Sequence, residues 1–209
     1  MQLSIEPHPL LDARVFLTRY ELDLGEYAGV SPLREPPPEP FAAPDDALRA
    51  SIRDVLRHSG FKPTGRSKPA SEYLLRARAE AGLKPINCAV DACNLVSLYS
   101  GLPISVVDSD RLATPLSIRV AEPGASYVFN VSGQTIDVGR LPCLHDANGP
   151  CANAVKDAQR TKTSDATRCS LTVVWSSQQL RERTDAALAF YVELLTLTDG
   201  VSVEIVQPE

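Results

Sequence analysis

The sequence predicts an α+β protein. Three amphipathic helical segments come first, a series of short β-type runs follows them, and one more helix and strand close the chain. Helices that are grouped rather than alternating regularly with strands are typical of α+β architecture. With 209 residues and no internal repeat, the chain fits one large domain over 1–209. Residues 1–44 would form N-terminal strands and a connector, and residues 45–209 the core.

The N-terminal part combines strand and connector signals. Apolar and polar residues alternate over Ala13–Leu24, which predicts one or two strands. Residues 31–44 contain six prolines. Because proline fixes φ and has no backbone N–H, this segment is expected to be an extended connector over the surface.

Three helices are predicted next, over residues 45–58, 67–82 and 87–101. Their expected N-caps are Asp45, Ser67 and Asn87, because these short polar side chains accept hydrogen bonds from free backbone N–H groups. A glycine follows or closes each helix, at Gly60, Gly82 and Gly101.

The second half of the chain reads mainly as strands. Short β-type runs occupy residues 104–107, 117–120, 127–130 and 135–138. Residues 141–167 are polar, irregular and too long for a simple connection, so we predict a functional loop there. Cys169–Trp175 reads as a buried strand, Arg181–Leu197 as an amphipathic helix and Val201–Val206 as a last strand.

The charge is distributed unevenly. The chain carries 21 Lys and Arg against 26 Asp and Glu, a net charge of −5 that excludes a generally basic nucleic-acid coat. Residues 1–48 have a net charge of −6, whereas residues 49–84 reach +6 and residues 156–183 reach +3. Such local asymmetry permits one RNA-facing side, although Arg49, Arg53 and Arg57 also have the spacing of a solvated helix face.

Targeting and cysteine patterns favour a cytoplasmic protein. No run approaches the ~18 apolar residues of a membrane span, and residues 1–10 contain Glu6, Pro7 and Pro9 without the basic region of a signal peptide. The five cysteines form an odd set that favours reduced thiols. Cys143, His145 and Cys151 lie within nine residues, but no second pair completes a tetrahedral zinc site. We therefore expect no metal and no cofactor, with a zinc-stabilised scaffold as an alternative.

No catalytic motif of the common hydrolase, nucleotide-binding or metalloprotease types is present. Two polar clusters remain. Gly65–Leu74 would expose helix N-terminal amides beside Arg66 and Lys68, an arrangement that suits a phosphate or carboxylate. Lys156–Arg168 is dense in hydroxyl and basic side chains, or alternatively forms local turns before the next strand.

A longer pattern resembles a known family. Residues 86–112, INCAVDACNLVSLYSGLPISVVDSDRL, resemble the signature of the B3/B4 domain in the β subunit of phenylalanyl-tRNA synthetase. GRSKPASEYLLRARAEAGLKP upstream and DAQRTKTSDATR downstream resemble segments of stand-alone B3/B4 proteins. The matching positions of the signature are Ile86, Asn87, Val90, Asp91, Asn94, Val96, Leu98, Gly101, Pro103, Asp108, Asp110 and Leu112.

The resemblance implies a layered α+β fold with an unusual β-sandwich and packed helices. It also implies tRNA binding and an editing site, which in the synthetase hydrolyses a tyrosyl ester wrongly attached to phenylalanine tRNA. Such hydrolysis needs a positioned water, oxyanion donors and an amino-acid pocket. Ser105 stands where the synthetase pattern carries a histidine, and residues 157–160 replace a Gly-Gly-Glu-type element, so the architecture transfers better than the chemistry.

Candidate site residues follow from these patterns. The catalytic candidates are Asn87, Asp91, Ser105 and Asp157; the substrate-binding candidates are Asn94, Arg160, Thr161 and Thr163; the RNA-binding candidates are Lys62, Arg66 and Lys68.

Two of these assignments have structural alternatives. Asn87, Asp91 and Asn94 have the spacing of one helix face, yet Asn87 could cap the helix while the others satisfy backbone groups. Arg160 could bind a phosphate or α-carboxylate bidentately, or pair with Asp157 or Asp165.

The resemblance thus favours a stand-alone B3/B4-type protein that binds tRNA or aminoacyl-tRNA, with trans-editing hydrolysis of a mischarged ester as an activity that its residues leave open. The alternative is a non-catalytic module that binds a free amino acid or small carboxylate in the same pocket.

Overall fold

The computed structural model describes residues 2–28, 39–81, 83 and 85–208. Four helices lie in these residues: α1 (Asp46–His58), α2 (Ala70–Ala81), α3 (Cys88–Ser100) and α4 (Arg181–Thr196). The strands are β1 (Leu3–Ile5), β2 (Leu11–Tyr20), β3 (Ile104–Asp108), β4 (Leu116–Val120), β5 (Ser126–Val128), β6 (Thr135–Asp137), β7 (Pro142–Asp146), β8 (Gly149–Asn153), β9 (Cys169–Ser177) and β10 (Val201–Ile205).

Two sheets pack face to face, and helices pack against the outer face of the second sheet. The first sheet has the order β1-β4-β7-β8, the second has the order β10-β2-β9-β3, and β5 and β6 form a separate hairpin. The alternation of β2 explains the layering: Val15 and Leu17 pack toward the first sheet, whereas Phe16 packs with the helices on the other face. The α+β class and the two packed sheets are confirmed.

A buried hairpin replaces part of the predicted loop. Residues 142–153 form β7 and β8, and all five residues of β7 are buried. The prediction of an irregular segment over 141–167 was therefore wrong for these residues, because a strand buried on both faces lacks the alternation that marks a half-exposed strand. β1 also lay outside the predicted elements, and it pairs in parallel with β4.

Two of the three predicted helix starts are confirmed. The Asp45 side chain accepts a hydrogen bond from the Leu48 N–H at 2.8 Å, and Asn87 accepts one from the Val90 N–H at 2.9 Å. Ser67 does not begin α2, which starts at Ala70. Lys68, the residue before Pro69, has the extended backbone that proline imposes on its predecessor, and this delays the helix.

The predicted connector is only partly described. Residues 39–44 form neither helix nor strand, and Phe41 among them is buried. The prolines at positions 32–38 and the predicted helix end at Gly82 lie outside the described residues. Within the described part of the chain, no helix has both the length and the apolar composition needed to cross a membrane.

Gly101 ends α3 in a conformation that a side chain would disturb. Its φ is +73°, and an added Cβ would lie 2.9 Å from both Leu48 Cδ2 and Pro44 Cβ. We expect Gly101→Ala to lower the free energy of unfolding by about 2 to 3 kcal/mol, measured by urea denaturation. Gly124→Ala is the matched control, because Gly124 has φ +84° but open space around it. Equal losses for the two variants would contradict a packing effect at Gly101.

Candidate functional site

The edges of the two sheets adjoin along β3 and β8. Ser105 in β3 approaches Asn153 at the end of β8, with 3.2 Å between the Ser105 hydroxyl and the Asn153 carbonyl oxygen. Val107 also forms an isolated bridge with Lys162. The loop after β8 returns Asp157 to Ser105 across 52 positions of sequence. We call this place, with Ser105, Asn153 and Asp157, the seam.

A hydrogen-bond network joins two predicted catalytic candidates at the seam. The Ser105 hydroxyl lies 2.7 Å from Asp157 Oδ1 and donates its single proton to the carboxylate. Trp175 Nε1–H donates to Ser105 Oγ at 2.9 Å, and the Asn153 N–H donates to Asp157 Oδ1 at 3.3 Å. Because Ser105 and Trp175 are almost fully buried, their positions are well defined by packing.

Asp157 has an unusual protonation equilibrium. Burial raises the pKa of Asp157 to about 7, although hydrogen bonds from Ser105 and Asn153 and the charge of Lys162 oppose that rise. Protein surrounds this carboxyl group, yet the residue keeps partial solvent exposure. A carboxylate with a pKa near neutrality can accept and return a proton, which is the property of a general base.

Sequence reasoning missed the residues that support the seam. Asn153 Nδ2 donates to the Tyr127 hydroxyl at 2.6 Å, and Tyr127 in turn donates to the Lys156 carbonyl. Asn153 Oδ1 accepts the N–H groups of Val155 and Lys156, which shapes the turn that carries Asp157. Burial raises the pKa of Tyr127 well above its usual value, so the phenol stays neutral. Of these supporting residues, only Trp175 could have been singled out from the sequence, because it is the one tryptophan in the chain.

Two of the three polar candidates at α3, Asn87 and Asp91, have local structural contacts. Asn87 is buried and caps the helix, as the structural alternative proposed. Asp91 Oδ1 accepts the Ile86 N–H at 2.9 Å, and Asn94 is partly buried on the same helix. Catalytic or substrate-binding roles for these three residues stay predictions.

Arg160 forms an ion pair with Asp146, a residue that the sequence did not suggest as its partner. Its guanidinium donates to both carboxylate oxygens of Asp146, at 2.7 and 2.8 Å, and to the Gly149 carbonyl. The predicted ion pair with Asp157 or Asp165 was therefore wrong. Asp146 belongs to β7, inside the stretch predicted as a loop, so the pair could not be foreseen.

The two threonine candidates differ in environment. Thr161 is fully buried, and its hydroxyl lies 3.3 Å from the carbonyl oxygens of both Cys151 and Ala158. Thr163 is partly exposed just beyond it. Thr161 therefore serves the packing of the loop, and a substrate-binding role for Thr163 stays a prediction.

The cysteines and histidine of the zinc alternative serve packing. Among the described residues, no three His, Cys, Asp or Glu side chains are grouped closely enough to hold a metal ion. Cys151 Sγ donates to the Leu144 carbonyl at 3.4 Å, and His145 Nδ1 lies 3.0 Å from the Cys143 carbonyl. Burial raises the pKa of Cys151 to about 12 and that of Cys143 still further.

Thiol labelling of the native protein should be selective. Four cysteines are buried, and burial raises the pKa of Cys88 to about 11 and that of Cys93 to about 12. Only thiolates react readily, so we expect a disulfide reagent at pH 8 to label Cys169 rapidly and the other four at least about 100-fold more slowly. Cys169→Ser should remove the rapid phase of labelling. Rapid labelling of several thiols per molecule of native protein would contradict the prediction.

The predicted RNA-binding residues are accessible. Lys62 is exposed and lines an open recess of about 390 Å³ with Gly60, Phe61 and Arg140. Arg66 is exposed and Lys68 partly exposed, just before α2. Their RNA contacts stay predictions.

Known proteins share this architecture. The B3/4 domain family matches residues 61–190. The phenylalanine–tRNA ligase beta subunit of Synechococcus sp. (strain JA-2-3B'a(2-13)) is 33% identical over 117 residues, covering 50% of this chain and 14% of that protein. The counterpart from strain JA-3-3Ab is 32% identical over 152 residues, covering 66% of this chain and 18% of that protein. This chain thus spans less than a fifth of these relatives.

A solved structure agrees in fold. An N-terminal fragment of the phenylalanyl-tRNA synthetase beta subunit from Pyrococcus horikoshii superposes with a TM-score of 0.53 at 10% identity. The match covers 97% of this chain and 50% of that fragment, and at this identity it speaks for the fold alone. With the family match over more than half of its residues, the chain belongs to the B3/4 domain family.

Proposed function

We propose that this B3/4 domain protein binds tRNA or aminoacyl-tRNA and hydrolyses a mischarged aminoacyl ester at the seam. The observation that carries the proposal is the Ser105–Asp157 pair, because a buried carboxyl group with a pKa near 7, on a residue that keeps partial solvent exposure, is suited to activate water. The relatives named above act on tRNA according to their names, which supports the same substrate class.

The proposed reaction assigns one role to each group. Asp157 accepts a proton from a water molecule as the water oxygen bonds to the ester carbonyl carbon. The bond between that carbon and the ribose oxygen then breaks, and Asp157 returns the proton to the leaving oxygen. Ser105 acts as a positioning residue, since its hydroxyl, held by Trp175, orients the carboxylate.

RNA would approach from the basic side of the molecule. Lys62, Arg66 and Lys68 belong to the segment of charge +6 and leave their charged groups accessible to phosphates. Phosphate contacts of this kind supply affinity without sequence specificity.

Deacylation of charged tRNA tests the catalytic part. Pools of correctly and incorrectly aminoacylated tRNA are incubated with the protein, and loss of the amino acid is followed over time. We expect faster hydrolysis of at least one mischarged species and a rate about 100-fold lower for Asp157→Asn. Asp199→Asn, which changes an exposed carboxylate, is the control. Unchanged rates for every species would refute the hydrolase.

A gel shift tests the binding part separately. The affinity for tRNA should fall as the salt concentration rises. When Lys62, Arg66 and Lys68 are all replaced by glutamine, the slope of log affinity against log salt concentration should become shallower by about two to three. Binding that is absent, or that does not respond to salt, would refute the RNA interface.

A second candidate keeps the seam but not the reaction. The Asp157 carboxylate, with Lys162 nearby, offers complementary charges for the ammonium and carboxylate of a free amino acid. Thermal-shift measurements with single amino acids decide between the two, because a free amino acid that binds tightly should stabilise the protein without any tRNA.

A further inference from the structure

We propose that Lys156 and Lys162, the two lysines that meet at Phe129, form an oxyanion site that binds a phosphate group beside the seam. This basic cluster deepens the proposed function, on which it rests only for the identity of the molecule that carries the phosphate. Neither the family match nor the relatives assign a ligand to these residues.

One residue holds both lysines in place. The Lys156 ammonium lies 4.0 Å from the centroid of the Phe129 ring, and the Lys162 ammonium donates to the Phe129 carbonyl oxygen at 2.7 Å. Phe129 directly follows β5. Two ammonium groups from separate parts of the loop after β8 are therefore gathered at one position of the β5–β6 hairpin.

Neither lysine forms a direct ion pair with a carboxylate in the described part of the chain, although Asp157 lies near Lys162. By contrast, Arg53 pairs with Glu72 and Arg160 with Asp146. Burial, together with the charges of Arg66 and Lys162, lowers the pKa of Lys156. Like charges gathered with only one nearby counter-charge, that of Asp157, cost free energy, and a bound anion would reduce that cost.

The charge of the cluster favours phosphate over a carboxylate. The two lysines carry a charge of +2, and Arg66, whose charge acts on Lys156, adds +1. Ionised Asp157, which lies near Lys162, reduces the local total to about +2. A phosphate monoester carries about −1.5 to −2 near neutral pH and offers several strong acceptor oxygens. Arginine adds a fork of donors that matches phosphate geometry.

Thermal unfolding with added anions tests the site. Inorganic phosphate, adenosine 5′-monophosphate and acetate are each compared with chloride at equal ionic strength. At phosphate about tenfold above its dissociation constant, we expect a rise in Tm of about 3 °C. A larger rise with adenosine 5′-monophosphate would identify a nucleotide end as the source, and equal rises would identify the phosphate group alone. No rise with phosphate, or an equal rise with acetate, would overturn the inference.

Variants assign the effect to these residues. Lys156→Gln with Lys162→Gln should abolish the rise, Lys156→Arg should retain it, and Arg181→Gln on α4 should leave it unchanged. The pKa of Lys156, followed by NMR in the parent protein, should increase on addition of phosphate. The assignment would be overturned if phosphate still raised the Tm of the variant with both lysines replaced, or if phosphate left the pKa of Lys156 unchanged.

The two proposals fail separately. A normal phosphate effect without tRNA hydrolysis would refute the hydrolase alone. Hydrolysis that persists in a protein insensitive to phosphate would refute the oxyanion site alone.

Discussion

The variant Asp157→Asn should be more stable than the parent protein at pH 8, and this advantage should be much smaller at pH 5. The free energy of unfolding, obtained by urea denaturation at both pH values, should show a gain over the parent that grows by about 2 to 3 kcal/mol between them. Few substitutions of a buried, hydrogen-bonded side chain are expected to raise stability, so this result would be diagnostic.

The direction follows from the proton balance. The pKa of Asp157 is about 7 in the folded protein and near its usual 3.8 in the unfolded chain. Between these values the folded state holds one proton more than the unfolded state, so the stability of the parent falls as the pH rises toward 7. Asparagine cannot ionise, and its amide oxygen can still accept from the Ser105 hydroxyl and the Asn153 N–H.

A control and a contradicting outcome are available. Asp199→Asn removes an exposed carboxylate and should show no pH-dependent difference from the parent. If Asp157→Asn and the parent lose stability in parallel from pH 5 to pH 8, Asp157 does not ionise in this range. Combined with lost deacylation, a gain in stability would show that the carboxyl group is retained for function at the expense of stability.

The substitution Arg160→Ala should lower the free energy of unfolding by about 3 kcal/mol. The Asp146 side chain is fully buried, and Arg160 supplies two of its hydrogen bonds. Burial would raise the pKa of Asp146, but the hydrogen bonds and charge of Arg160, together with the N–H groups of Ala113 and Asn148, outweigh it and hold that pKa below its usual value. Without Arg160, a buried charge remains with only the backbone N–H groups of Ala113 and Asn148.

Urea denaturation measures this loss, and Arg76→Ala provides the matched control. Arg76 pairs with Glu80 on the surface of α2, where water screens the charges and such pairs contribute little to stability. Similar losses for both variants would show that the Arg160–Asp146 pair is no stronger than a surface pair. Because Asp146 ends β7, the larger loss would also identify this pair as a support of the hairpin that leads to the seam.

Several features could be predicted because they depend on near neighbours. The caps at Asp45 and Asn87 involve hydrogen bonds to residues three positions away, and helix patterns repeat within one or two turns. The exception at Ser67 is instructive. Ser67 is a residue type that commonly caps helices. Pro69, however, restricts the backbone of Lys68, and α2 therefore starts only at Ala70.

The α+β class, two of the helix starts and the resemblance over residues 86–112 could all be predicted from local patterns, which also placed Ser105 and Asp157 among the candidates. Long-range folding brings these two side chains together, pairs Arg160 with Asp146 and gathers Lys156 and Lys162 at Phe129. These contacts join residues that are far apart in the chain, and they depend on how strand edges and loops adjoin, which no local pattern encodes.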